Sequence, residues 1–187
     1  MKHLGKHLGW IFLSLLFLAA NSVISARVAI DDLSKAREWK VEHVSGSSAD
    51  LGGVTVRLEA TKAVTTPVKA DRALVHVRLS LQGPEPARST WINCRLSLRD
   101  SKGRSWSPME NENTDSAIKI IASDRRNNGR CNPSPYDAST DGKPFLSDQV
   151  FLVPVETLLD LSLYVSGYGT LPEALAFPIK PALATLK

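Results

Sequence analysis

Val75-His76-Val77-Arg78-Leu79-Ser80-Leu81 decides how this chain folds. Four apolar residues alternate with three polar ones, the period of two in which successive side chains leave opposite faces of an extended strand. Such a strand keeps one face in a core and turns the other to water, which places His76 on the solvated side. The same period recurs around it. Val54, Val56, Leu58 and Ala60 alternate with Thr55, Arg57 and Glu59. Ile92, Cys94, Leu96 and Leu98 alternate with Asn93, Arg95, Ser97 and Arg99, and Leu159, Leu161, Leu163 and Val165 alternate with Asp160, Ser162 and Tyr164. Weaker strand candidates are Glu38 to Val44, Ala117 to Ala122, Gln149 to Val155 and Ala174 to Ile179. Nothing after Trp39 sustains a helical period.

Short strands with turn chemistry between them point to an all-β domain, an immunoglobulin-like antiparallel β-sandwich of about seven to nine strands. Gly83-Pro84-Glu85-Pro86 interrupts one pair of strands. Asp100-Ser101-Lys102-Gly103 has Asp and Gly at the first and fourth positions of a tight turn, and Pro154 marks an edge strand or a bulge. Ser107 to Ser147 breaks the rhythm with Asn111, Asn113, Asn127, Asn128, Asn132, Pro133, Pro135 and Pro144. An irregular stretch that long is functional or tied down. In an oxidising compartment the two cysteines, Cys94 and Cys131, pair and pin it to the sandwich. Closing such a loop corresponds to roughly 3–4 kcal/mol in the chain-entropy model. The other reading is two free thiols, one of them buried. Trp91 falls on the face opposite Cys94, which makes it either an exposed aromatic anchor for a partner or a ring covered by the long loop.

The beginning of the chain is an address. Lys2 and Lys6 form a basic tip, and Leu8 to Ile24 runs apolar apart from Gly9, Ser14, Asn21 and Ser22. This is a segment for a secretion machine, with its positive end kept in the cytoplasm. At about 25 Å of helix it suits a retained inner-membrane anchor, while Ala20-Asn21-Ser22 and the overlapping triplets ending at Ser25 and Ala26 suit cleavage and secretion. Residues 1–26 are thus anchor or signal, 27–37 a juxtamembrane stalk, and 38–187 one domain facing the periplasm or cell exterior. No cysteine stands near the end of the apolar stretch, which argues against a lipid-modified N-terminus.

Catalytic signatures are missing: there is no Gly-x-Ser-x-Gly elbow, no Cys-x-x-Cys pair and no His-x-x-x-His helix, and only His43 and His76 follow the export segment. The expectation is a protein without catalysis, cofactor or bound metal. Glu110-Asn111-Glu112-Asn113-Thr114-Asp115 collects oxygen ligands but lacks the spacing of a calcium loop. Arg125, Arg126 and Arg130 bracket Asn127-Asn128-Gly129, a good turn sequence, and offer grips for a phosphate or carboxylate. Asp124 offsets one of those charges. The net charge of +4 owes much to Lys2, Lys6 and Arg27. What remains is near neutral and gives no reason to expect nucleic acid.

Ala73 to Trp106 resembles a group of bacterial extracytoplasmic immunoglobulin-like domains. In these a Val-x-Val-x-Leu-x-Leu strand and a Pro-bearing break precede a strand ending in Leu-x-Asp-x-x-Gly-x-x-aromatic, here Leu98 to Trp106 with Asp100 and Gly103 in place. Phe151-Leu152-Val153-Pro154-Val155 resembles a later strand of the same domains. The resemblance implies a non-enzymatic surface or periplasmic module and carries over no functional residue. Many members are lipid-anchored through a cysteine, and here the hydrophobic segment stands in its place. The reading that follows is a membrane-anchored interaction or accessory module of a bacterial envelope. It binds an envelope protein through a sheet edge or the 107–147 loop; the alternative is a soluble periplasmic binder of a small molecule or glycan.

Overall fold

The computed structural model describes residues 2–35, 37–66, 69–110, 112–133 and 143–185, in two units, Met1–Arg37 and Glu38–Lys187. In the first, α1 (Lys2–Lys35) is one continuous helix that runs through most of the expected stalk. Its Gly9–Ile30 stretch has 22 residues and a mean hydropathy of 1.8. At 1.5 Å per residue that is about 33 Å, enough for a roughly 30 Å hydrocarbon core. By length and composition this one helix can cross a membrane.

Ten strands among the described residues build the second unit. One sheet holds β1 (Lys40–His43), β5 (Arg95–Asp100), β6 (Ser105–Trp106), β8 (Leu161–Ser166) and β9 (Glu173–Ile179), in the order β1-β9-β8-β5-β6. The other holds β3 (Val54–Thr66), β4 (Lys69–Gln82), β7 (Phe145–Pro154) and β10 (Ala182–Thr185), in the order β10-β3-β4-β7, with β2 (Ser48–Leu51) also on β3. Val75, Val77, Leu79 and Phe151 from this sheet meet Leu98, Leu163, Leu175 and Phe177 from the first in one shared core, all at 0% exposure. Each such side chain contributes about 1.5–3 kcal/mol on burial. The architecture is mostly β, two sheets around one core. It is not wholly antiparallel as expected, because β1 runs parallel to β9 and β10 parallel to β3. Alternation reports which face a residue takes and says nothing about the direction of its neighbour.

Several local expectations change in the same way. Between Leu58 and Ala60 the register of β3 against β4 slips, so Val54 and Val56 face the core before it and Ala63 after it. Ala60, read as core-facing, pairs with Arg78 on the opposite face, because the extra residue at a bulge inverts the phase that follows. Ala117 to Ala122 is not a strand. Its residues up to Ile121 belong to α2 (Thr114–Ile121), where Ile118 and Ile121 lie three apart on one buried face, with Ala122 buried beside them at the helix end. Ile92 and Leu159 precede their strands rather than belonging to them, and Leu159 is exposed.

The Asp100 turn forms as expected. The Gly103 N–H donates to the Asp100 carbonyl at 3.0 Å, with Gly103 at φ +79°. The Asp100 carboxylate accepts from the amides of Lys102 and Arg104 and from Arg104 Nε at 2.7 Å. Burial would raise its pKa, but the Arg104 guanidinium and these amides together hold it below the ordinary value.

Candidate interaction site

The outer face of β4 is polar in sequence and buried in fact. His76 is 2% exposed, a correction to the solvated position that alternation assigns it. The cover comes from the 107–147 stretch, of which 134–142 and 111 lie outside the described residues. Ile118, Ile121 and Ala122 pack on Val64 and Val150, with Leu74 and Met109 at the margin. The Met109 N–H donates to the Val150 carbonyl, and the Asp148 N–H to the Gly129 carbonyl, so the segment also closes the free edge of β7. An edge tied this way is protected from stray pairing.

Asp148 is the pivot beneath it. Its Oδ1 accepts from His76 Nε2 at 2.7 Å and Arg78 Nε at 2.8 Å. Its Oδ2 accepts from the Asn128 amide at 2.8 Å, Asn128 Nδ2 at 2.6 Å and Arg78 Nη2 at 3.2 Å. Burial opposes the charge, yet bonds from His76, Arg78 and Asn128 outweigh it and hold the carboxyl well below the usual range. Arg78 reaches on to Asp124 through both terminal nitrogens and to the Arg126 carbonyl at 3.1 Å. The Arg78 bond lowers the Asp124 pKa to about 2, aided by the Arg126 amide, while these carboxylates push the guanidinium of Arg78 up.

Asp124 is therefore spoken for by Arg78 and not by the arginines beside it. Arg125 and Arg126 are exposed, and among the described residues neither has an ion-pair partner. Arg125 holds φ +56°, a left-handed conformation uncommon for a side chain of its size. Arg130 is also exposed and pairs loosely with Glu110 at 3.6 Å. The disulfide Cys94–Cys131, with Cα atoms 5.5 Å apart, fixes the far end of this loop.

The remaining candidates disperse. Trp91 is not an exposed anchor. It is wholly buried in a short helical turn, Ser89–Trp91, and its Nε1 donates to the Leu51 carbonyl at 3.2 Å. Alternation failed there because the strand begins only at Arg95. Of the acidic run, Glu110 faces Arg130, while Asp115 accepts from Lys119 and Asn127. No three His, Cys, Asp or Glu among the described residues are grouped to hold a metal ion. Sequence reasoning missed Asp148, Arg78 and Asn128 as a unit. The register that sets Arg78 directly opposite Asp148 is the signal, and it becomes visible only once β4 and β7 are known to be neighbours.

Beside the disulfide lies a cleft of about 360 Å³, lined by Asn93, Leu96, Pro108, Glu110, Arg130, Asn132 and Gln149. A wider groove of about 480 Å³ runs between β1 and β2, bordered by Lys40, Glu42, Asp50 and Glu173.

No known family and no curated protein matches this chain. Among solved structures, one described as a "putative lipoprotein" from Staphylococcus aureus is similar at 7% identity and a TM-score of 0.43, over 77% of this chain and 97% of that one. A likeness this low carries no argument about function.

Proposed function

We propose that this chain is an extracytoplasmic interaction or accessory module of a bacterial envelope, held at the membrane by α1 and without catalysis of its own. Its sandwich, read as immunoglobulin-like, meets an envelope protein through the Arg125–Arg130 loop. The observation that carries this reading is the pair of exposed arginines whose adjacent acid, Asp124, is already bound to Arg78. Cations presented on a loop fixed from below lose little freedom on binding, and guanidinium forks suit carboxylates of a partner. The apolar Gly9–Ile30 helix supports the membrane attachment, and the Cys94–Cys131 bridge supports an oxidising compartment. His76 gives little support to an enzyme. The ring is buried, and one nitrogen is engaged by Asp148.

The test is crosslinking and pull-down from native membranes, comparing the intact chain with Arg125→Ser/Arg126→Ser. The reading expects a specific envelope protein with the first and its loss with the second. Equal recovery removes the loop as the site; recovery from neither overturns the interaction module. Intact mass from the same membranes distinguishes a retained α1 from a cleaved one.

A further inference from the structure

Asn128-Gly129 is the one Asn-Gly pair in the chain. An asparagine followed by glycine converts readily, because no Cβ shields the backbone nitrogen that comes next. That nitrogen can attack the Asn Cγ and expel the side-chain nitrogen as ammonia. Gly129 holds φ +85°, and a Cβ there would meet nothing within 4 Å, so the left-handed turn, not crowding, calls for glycine. The turn at the tip of the arginine loop thus brings a reactive pair with it.

In this fold both reacting groups are occupied. Asn128 Nδ2, the group that would leave, donates to Asp148 Oδ2 at 2.6 Å, and the Asn128 N–H donates to the same oxygen at 2.8 Å. The Gly129 N–H, whose nitrogen would attack, donates to Asn127 Oδ1 at 2.9 Å. The Gly129 carbonyl accepts from the Asp148 N–H at 2.9 Å and from Ser147 Oγ at 3.3 Å. Swinging Cγ towards the Gly129 nitrogen therefore means breaking the bond to Asp148. The carboxylate beside it also opposes the negative charge that builds on the Asn oxygen during attack.

We propose that Asn128 is a site of spontaneous deamidation that Asp148 holds closed, and that conversion releases the arginine loop. When the loop opens, the Gly129 nitrogen bonds to Asn128 Cγ and gives up its proton, and ammonia leaves with the side-chain nitrogen. Water then opens the cyclic imide, to aspartate or to isoaspartate with one more atom in the backbone. Either product sets a carboxylate where Asp148 had accepted from an amide, and two carboxylates repel each other there. The event runs one way. It involves no partner, so it stands or falls apart from the arginine reading.

The test incubates the full chain in detergent micelles at mildly alkaline pH, folded and unfolded in urea, and follows residue 128 by peptide mass mapping and isoaspartate assay. The folded chain should convert at least about tenfold more slowly than the unfolded one. Asp148→Asn, with one acceptor oxygen where the carboxylate has two, should recover most of that difference. Asn128→Asp, standing in for the product, should lower the thermal midpoint by about 2–4 °C and speed amide exchange at residue 128. Equal rates in the folded and unfolded chain overturn the proposal, as does a folded Asp148→Asn that converts as slowly as the intact chain. An unchanged midpoint and exchange in Asn128→Asp overturn the release. If Asp148→Asn fails to fold, the intact chain decides. Across low urea its conversion should rise in proportion to exchange of the Asn128 N–H, the other bond to Asp148 Oδ2; conversion that does not follow that exchange overturns the proposal.

Discussion

On one face of β4, Val75, Val77 and Leu79 are buried against the opposite sheet; on the other, His76 and Ser80 are nearly as buried, at 2% and 6%, among polar partners. The first face is filled by apolar volume, which tolerates a substitute of similar size. The second is filled partner by partner: Arg78 to Asp148 and Asp124, His76 to Asp148, Ser80 to Glu59. Polar burial of that kind is costly when one member is removed, because the groups left behind stay dry and unmatched. The lesson is that alternation tells the two faces apart without telling which one is wet.

The comparison breaks most visibly through the apolar face. Phe151→Ala should cost about 4 kcal/mol in urea unfolding followed by circular dichroism, the range for a large core aromatic. A loss below that of any polar substitution would mean the shared core is not the main support. Asp148→Ala should come next, at about 3 kcal/mol, since it strands Arg78, His76 and the Asn128 amide together. The same measurement on Asp148→Asn separates charge from shape, with a smaller loss expected.

Acid sharpens the contrast, since only the polar face titrates. Asp148 and Asp124 both have folded pKa values below the model-peptide 3.8, Asp124 at about 2. A depressed carboxyl stabilises the fold fully above 3.8 and loses that contribution as pH falls through the folded value. Unfolding midpoints should therefore drop from about pH 4 to pH 2 in the intact chain, and less steeply in Asp148→Ala. Equal slopes would remove Asp148 from the account. The smallest effect belongs to the tip. Arg125→Ala should change stability by no more than about 0.5 kcal/mol while weakening partner recovery, since an exposed side chain contributes little to folding.

Much of the sandwich was legible because its strands carry the period of two over four or more residues, as Val75 to Leu81 and Leu161 to Val165 do. The parallel edge strands were not, because direction leaves no mark on alternation. The helix Thr114–Ile121 escaped notice because two turns are too short for a sustained period, and its Ile118 and Ile121 also fit an apolar strand. Within the site, the Cys94–Cys131 pairing followed from counting, and the arginines stood out as a run. What joins them beneath the surface did not, because Asp148 lies 70 residues from Arg78 in sequence and 20 from Asn128. Trp91 was misplaced for a related reason: a tight turn ahead of β5 carries it into the core, and no local pattern reports that turn.

The most direct measurement is amide hydrogen exchange at Asn128, in the intact chain and in Asp148→Asn. If the polar face of β4 and β7 holds the arginine loop in place, the Asn128 N–H, bonded to Asp148 Oδ2, is protected in the first and exchanges freely in the second. Free exchange at Asn128 in the intact chain would contradict the account, leaving the arginines on a loop that nothing beneath them fixes.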